Sequence, residues 1–340
     1  MTSDTGDRES GTDSRQQTRR EFIGRAICAG AAAGLCNLRG IAAMAAQDAA
    51  KAPSPLPIAH VVRAYSAHMM PVSVIHRTIL KDALEESVKL IAGEDRISDA
   101  WHQILKPDDV ILIKFNQSGA ENIGTTRAMA AELVESLQKA GWSPSQVMLL
   151  EAVGASPSML RTTRQPDRRW QHERVNFGVS GKDSFVAALD QATAIINVPF
   201  IKTHHMTTLT GCLKNLSHGL IQHPARFHEG GCDPAIAEIV ASDAIRSKVR
   251  LNIMNGIRCV VEGGPKADPE ALVSCNTLFV GVDPVACDAT AFGFLNEVRS
   301  LRGKPPLLKG ASLPIHLQSA TKRRIGQSDL ERIRVTRVDV

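Results

Sequence analysis

Aromatic residues are scarce in this chain. They make up 4% of its 340 residues, and tyrosine occurs once, as Tyr65. That scarcity excludes a stacking platform for bases or sugars. A strong charge of one sign is lacking too. Forty basic residues against 35 acidic ones leave a net charge of +5, too weak a surplus to imply nucleic acid as a partner. No Cys-x-x-Cys pair occurs. Of the seven cysteines, the five beyond residue 45 are Cys212, Cys232, Cys259, Cys275 and Cys287, separated by 20, 27, 16 and 12 residues. Such spacing argues against an iron–sulfur motif and against a small disulfide scaffold. They read as buried small hydrophobes, with a disulfide between two of them left open. Long apolar runs are missing as well, so no stable membrane span is expected across roughly 30 Å of hydrocarbon.

What is present is a hydrophobic share of 43% with 22% charged residues, an ordinary balance for a globular chain. Residues 1–45 stand apart. Thr18-Arg19-Arg20-Glu21-Phe22 precedes a short Ala- and Gly-rich apolar stretch ending near Leu38, then Arg39 and the small residues Ala43-Met44-Ala45. This pattern resembles a twin-arginine export signal, with an N-terminal anchor as the bland alternative. It implies the twin-arginine export machinery as a partner and a periplasmic or extracytoplasmic destination. Substrates of that route cross the membrane folded, often with a cofactor. Residues 46–57 read as a Pro- and Ala-rich linker.

From residue 58 the chain alternates short apolar runs with amphipathic segments. Strands are expected over 58–64, 110–115, 147–151, 194–198, 251–254, 278–282 and 333–338. Helices are expected over 77–91, 125–140, 207–220, 234–248 and 285–296. Runs such as VILIKF and AIINV suit strands covered on both faces. The expectation is an α/β domain over 58–300, a mainly parallel sheet flanked by helices in one lobed unit. Residues 301–340 read as a C-terminal extension. An Arg-rich stretch, 161–174, fits neither period and reads as a surface loop.

In open parallel sheets, ligands gather at the carboxyl ends of the strands. Those ends carry Lys114 and Asn116, Glu151, Lys202-Thr203-His204-His205, Asn255-Gly256 and Asp283. If the strands are parallel neighbours, they form a rim suited to a small anionic ligand or to a carboxylate/imidazole metal site. As a helix, 207–220 would place Leu209, Leu213, Leu216 and Leu220 on one stripe, with Lys214 and His218 together on a neighbouring face and Gly211 open to close approach. His204, His205, His218, His223 and His228 crowd into 25 residues. None has the spacing of a helical zinc motif, so ligation by one or two of them stands beside chance clustering on a loop. Glu262-Gly263-Gly264-Pro265 suggests a tight turn, without a nucleotide fingerprint.

These pieces together resemble the domain-of-unknown-function family 362. The matching residues are Ile113-Lys114-Phe115-Asn116, Ala140-Gly141 leading to Glu151, and Asn197-Val198-Pro199 with Lys202-Thr203-His204. Then come Thr210-Gly211-Cys212-Leu213-Lys214-Asn215, Leu251 to Gly256, Glu262 to Pro265, and Asp283 to Asp288. The resemblance implies an α/β protein. Some members are fused to iron–sulfur modules, which implies a link to redox or metal metabolism, although this chain has no such motif. Gln117 and Val282 depart from the family pattern. Asn255 does too, standing where an aspartate is common and removing one acid or metal ligand.

The reading that follows is an exported protein with a Lys/His/carboxylate cleft for a small anion or a metal cofactor. His204, Lys202, Lys214 and Glu151 are the candidate catalytic groups. Lys114, Asn116, Thr203, Asn215, Gly211, Glu262 and Asp283 are the candidate ligand contacts, and His204, His218 and Asp288 the candidate metal ligands. The alternatives are a non-catalytic extracytoplasmic binding protein and an envelope interaction protein.

Overall fold

The apolar runs become strands because each is covered on both sides. The computed structural model describes residues 54–340 apart from Pro157, Thr163 and Ala311. The expected export signal, and most of the expected linker, lie outside the described residues. One sheet contains β1 (Ala59–Tyr65), β2 (Ile111–Lys114), β3 (Val147–Leu150), β4 (Ala194–Asn197), β5 (Phe200–His204), β6 (Thr208–Thr210), β7 (Val249–Val260), β8 (Leu272–Gly281) and β9 (Ile333–Asp339). The order is β9-β1-β8-β7-β4-β2-β3. β5 pairs with the far half of β7, and β6 folds back on β5.

Alternation along the strands feeds two cores. Ile111 and Ile113 of β2, with Val147 and Leu149 of β3, pack with Leu80, Trp101 and Leu133. These last three belong to the helices α1 (Arg77–Ala92), α2 (Ile97–Ile104) and α3 (Thr126–Lys139). Leu112, Met148 and Ile195 face the other way and pack with Leu213, Ile236, Val285 and Leu317. Those residues lie on α4 (Cys212–Ser217), α5 (Ala235–Val240), α6 (Pro284–Leu301) and α7 (Ile315–Lys322). The result is an α/β domain with three layers. Among the described residues, no helix is long and apolar enough to cross a membrane.

The sheet is mainly parallel, as expected: β2 runs parallel to β3 and β4, β7 to β4 and β5, and β1 to β9. β6 is antiparallel to β5, and β8 runs antiparallel to both β1 and β7. That reversal decides where Asp283 goes. Two further expectations change. Residues 207–220 are not one helix, because Thr208–Thr210 pairs with β5 and the helix begins only at Cys212. Residues 234–248 form two short helices, Ala235–Val240 and Asp243–Arg246. Residues 301–340 supply α7 and the edge strand β9 of the main sheet.

Candidate functional site

A cavity of about 220 Å³ opens at the carboxyl ends of β2, β3 and β5. Its lining includes Asn116, Gln117, Ser118, Glu151, Lys202, His204, Thr210, Lys214, His218, Gly219 and His228. Lys114, the last residue of β2, is fully buried just behind it. Its ammonium donates to Glu151 Oε2 at 2.9 Å, to the Phe115 carbonyl at 2.6 Å and to Asn215 Oδ1 at 3.1 Å. Burial lowers the Lys114 pKa, and the Glu151 charge pulls the other way. Glu151 is set by a left-handed backbone, φ 58°, and also accepts the Gln117 N–H. A Cβ on Gly219 would fall 2.5 Å from Lys114 Nζ, so glycine there makes room for the ammonium.

Asn215 joins Lys114 to a chain of buried amides. Asn215 Nδ2 donates to Asn197 Oδ1 at 2.8 Å, and Asn197 Nδ2 donates to Asn252 Oδ1 at 2.9 Å. Asn252 then donates to the carbonyls of Gly281 and Val282. Such a satisfied network holds the strand ends, and the lysine on them, in one arrangement.

Lys202 differs from Lys114 in its company. Its side chain is fully buried, and its ammonium has two acceptors, Asn116 Oδ1 at 3.0 Å and the Ser118 carbonyl at 2.6 Å. Both are neutral. Burial, reinforced by the nearby charges of Lys214 and Lys114 and opposed by the more distant charge of Glu151, with which it makes no direct contact, brings its pKa down to about 7. Across the β5–β6 ladder Lys202 stands opposite Thr210, so the two side chains share a face. The Thr210 hydroxyl is buried in the cavity wall with no hydrogen-bond partner among the described residues.

The opposite wall is built of imidazoles. His204 stacks on His205 at 4.8 Å between centroids and on His228 at 5.9 Å, and His228 meets His218 edge-on at 4.7 Å. His204 Nδ1 accepts the backbone N–H groups of Met206 and Thr207. Those two donors assign the proton of the neutral ring to Nε2, which lies 2.8 Å from Lys214 Nζ. Burial lowers the Lys214 pKa to about 8. Burial likewise drives His204 and His218 down to about 3, helped by the Lys214 charge.

The cavity thus gathers Asn116, Glu151, Lys202, His204, Lys214 and His218, with Lys114 and Asn215 directly behind. Other expected residues do not join. Thr203 alternates away from Lys202, and its hydroxyl accepts the Gly264 N–H at 3.1 Å. Gly211 makes room for protein: a Cβ there would meet Asp288 Oδ1 at 2.1 Å. The Asp288 carboxylate accepts the N–H groups of Cys212 and Leu213, at 2.6 and 3.0 Å, so it anchors α4 and stands outside the cavity lining. Glu262 pairs with Lys304 at 2.7 Å on the surface. Asp283 follows the antiparallel strand β8 and therefore points toward the amino ends of its neighbours, where it caps α6 and accepts the Gln327 N–H. Asn255 hydrogen-bonds Thr125 at 2.9 Å outside the cavity, so an aspartate there would not face a ligand.

Three contributors escape the sequence reading. Thr210 was part of a supposed helix, and His228 one of a crowd. Cys232 had been counted a small hydrophobe, yet its thiol lies in one group with His218 and His228, the ligand atoms all within 4.8 Å of one another. That group could hold a metal ion. In the sequence, only the crowding of five histidines into 25 residues hinted at it. The profile of a family described as a domain of unknown function (DUF362) matches residues 111–293, a span that contains every cavity residue named above. No curated protein matches the chain.

Proposed function

The chain belongs to the DUF362 family, and we propose that its cavity binds a small oxyanion, a carboxylate or a phosphate- or sulfate-like group. Lys202 carries this reading: a buried cation whose two partners are both neutral. Burying a charge without a counter-charge is costly, and an anionic ligand supplies the missing partner. The unpartnered Thr210 hydroxyl provides a further donor on the same face. Lys114 is already matched by Glu151 and acts as support. The volume holds roughly seven waters, which limits the ligand to a compact anion.

Calorimetric titration with sulfate, phosphate and short mono- and dicarboxylates tests the proposal. Saturable one-site binding, weakened at least about tenfold in Lys202→Met, supports it, the loss expected for a charge-assisted contact. No binding by any of these anions, or binding indifferent to that change, overturns it. Repeated turnover of phosphate or carboxylate esters would move the site from binding to catalysis, with His204, Lys214 and Glu151 as the acid–base groups in reach.

We further propose that residues 1–45 direct export through the twin-arginine route. The support is the Arg19-Arg20 pair and the weakly apolar stretch after it. Arg19→Lys with Arg20→Lys should leave the protein in the cytoplasm on cell fractionation; unchanged export would refute the signal.

A further inference from the structure

Behind the imidazole wall, three groups with metal-binding chemistry converge, and each is held ready. His228 Nδ1 lies 2.9 Å from the Pro224 carbonyl, which must take its proton and so leaves Nε2 as a lone pair, which Lys214 Nζ meets at 3.4 Å and which a metal would take over from it. His218 Nε2 lies 3.3 Å from the Phe227 carbonyl, so the ring's other nitrogen, Nδ1, is its lone-pair atom; the Ser217 hydroxyl meets it at 3.1 Å and would give way to a metal. A carbonyl on the far nitrogen is the usual outer support of a metal-bound histidine. Cys232 is fully buried, has no hydrogen-bond partner among the described residues, and follows two left-handed glycines in a left-handed conformation of its own, φ 65°. The ligand atoms of the three residues lie within 4.8 Å of one another. Tetrahedral bonds of about 2.0–2.3 Å need slightly closer spacing, a small contraction for side chains.

His218 and His228 also line the cavity, whereas Cys232 stands behind it. Three protein ligands approaching from one side leave a fourth position facing the cavity, the arrangement of an open zinc site. Two imidazoles with one thiolate suit a borderline ion of the zinc class.

We propose that His218, His228 and Cys232 bind one zinc-class divalent ion whose open position faces the cavity, so that the oxyanion held by Lys202 also contacts the metal. The second half rests on the anion reading above; the first does not. Cobalt(II) titrated into the metal-free, full-length protein should bind at one equivalent and show thiolate-to-cobalt charge transfer. Zinc should displace it. Cys232→Ser should erase the charge-transfer absorption, and His228→Ala should weaken cobalt binding at least about tenfold, the scale that loss of even a supporting partner reaches. In Lys202→Met cobalt should still bind, while sulfate no longer alters its spectrum.

Failure of the wild-type protein to bind cobalt, or charge transfer that survives Cys232→Ser, overturns the metal site whether or not the variants fold. Calorimetric sulfate binding by that same cobalt-free protein would leave the anion reading standing alone. A wild-type cobalt spectrum indifferent to sulfate overturns the contact between metal and anion.

Discussion

The two walls of the cavity are made differently. The lysine wall comes from strand ends: Lys114, Glu151 and Lys202 are placed by sheet register and braced by the Asn215–Asn197–Asn252 chain. The imidazole wall comes from a strand end, a helix end and two irregular turns, which bring His204, His218 and His228 together. In the first wall the donors are cations, matched by a carboxylate at Lys114 and left unmatched at Lys202. In the second, burial and the Lys214 charge keep His204 and His218 neutral, and since His204 spends its lone pair on two backbone N–H groups, His218 and His228 are the rings that can ligate. One wall attracts anions and the other offers ligands to a cation. A site built this way suits a metal and an anion side by side better than either alone.

The largest effect should come from unmatching the matched lysine. Glu151→Gln leaves Lys114 buried without its counter-charge and should cost about 3 kcal/mol of stability in urea unfolding. A loss below about 1 kcal/mol would mean that the pair is not what holds this wall.

Lys202 should respond to pH. Its folded pKa of about 7 lies below the ordinary 10.5, so between these values the unfolded chain holds the proton and the folded one does not. Stability of the ligand-free protein should therefore rise from pH 7 to pH 10.5, and Lys202→Met should flatten part of that rise. Sulfate, whose own charge is constant over this range, should bind more weakly as pH climbs above 7. Affinity that holds steady to pH 9 would remove Lys202 from the anion's shell.

Away from both walls, Asp283→Ala should cost about 1–2 kcal/mol through loss of the α6 cap and leave sulfate affinity unchanged. A drop in affinity would contradict its position at the other end of the sheet. The smallest effect belongs to Asn255→Asp: no change in cobalt or sulfate binding, checked by the same two titrations. A gain of affinity there would place residue 255 in the site after all.

The same contrast explains what could be read from the chain. Burial on both faces makes Ile111–Lys114 and Ala194–Asn197 nearly continuous apolar runs, so the strands and the polar residues at their ends were legible. Strand direction is not written in such runs. Asp283 looked like one more rim carboxylate until β8 proved antiparallel. Leu209, Leu213 and Leu216 share a helical spacing, but Leu209 is equally suited to the inward face of a three-residue strand, and pairing with β5 decided the matter. β7 was read as the four residues 251–254 because Asn255 and Arg258 break its hydrophobic pattern beyond them; Asn255 is buried and satisfied by its hydrogen bond to Thr125. Cys232 depends on a left-handed Gly-Gly-Cys turn, on His228 four positions back and on His218 fourteen positions back, and joining the three takes an irregular turn that no single period encodes.

Crystals grown with selenate would test the central claim most directly, because selenium can be located by its anomalous scattering. The account predicts a selenium site within hydrogen-bonding distance of Lys202 Nζ and the Thr210 hydroxyl. Selenate bound elsewhere on the protein, with the Lys202 cavity holding only water, would contradict it.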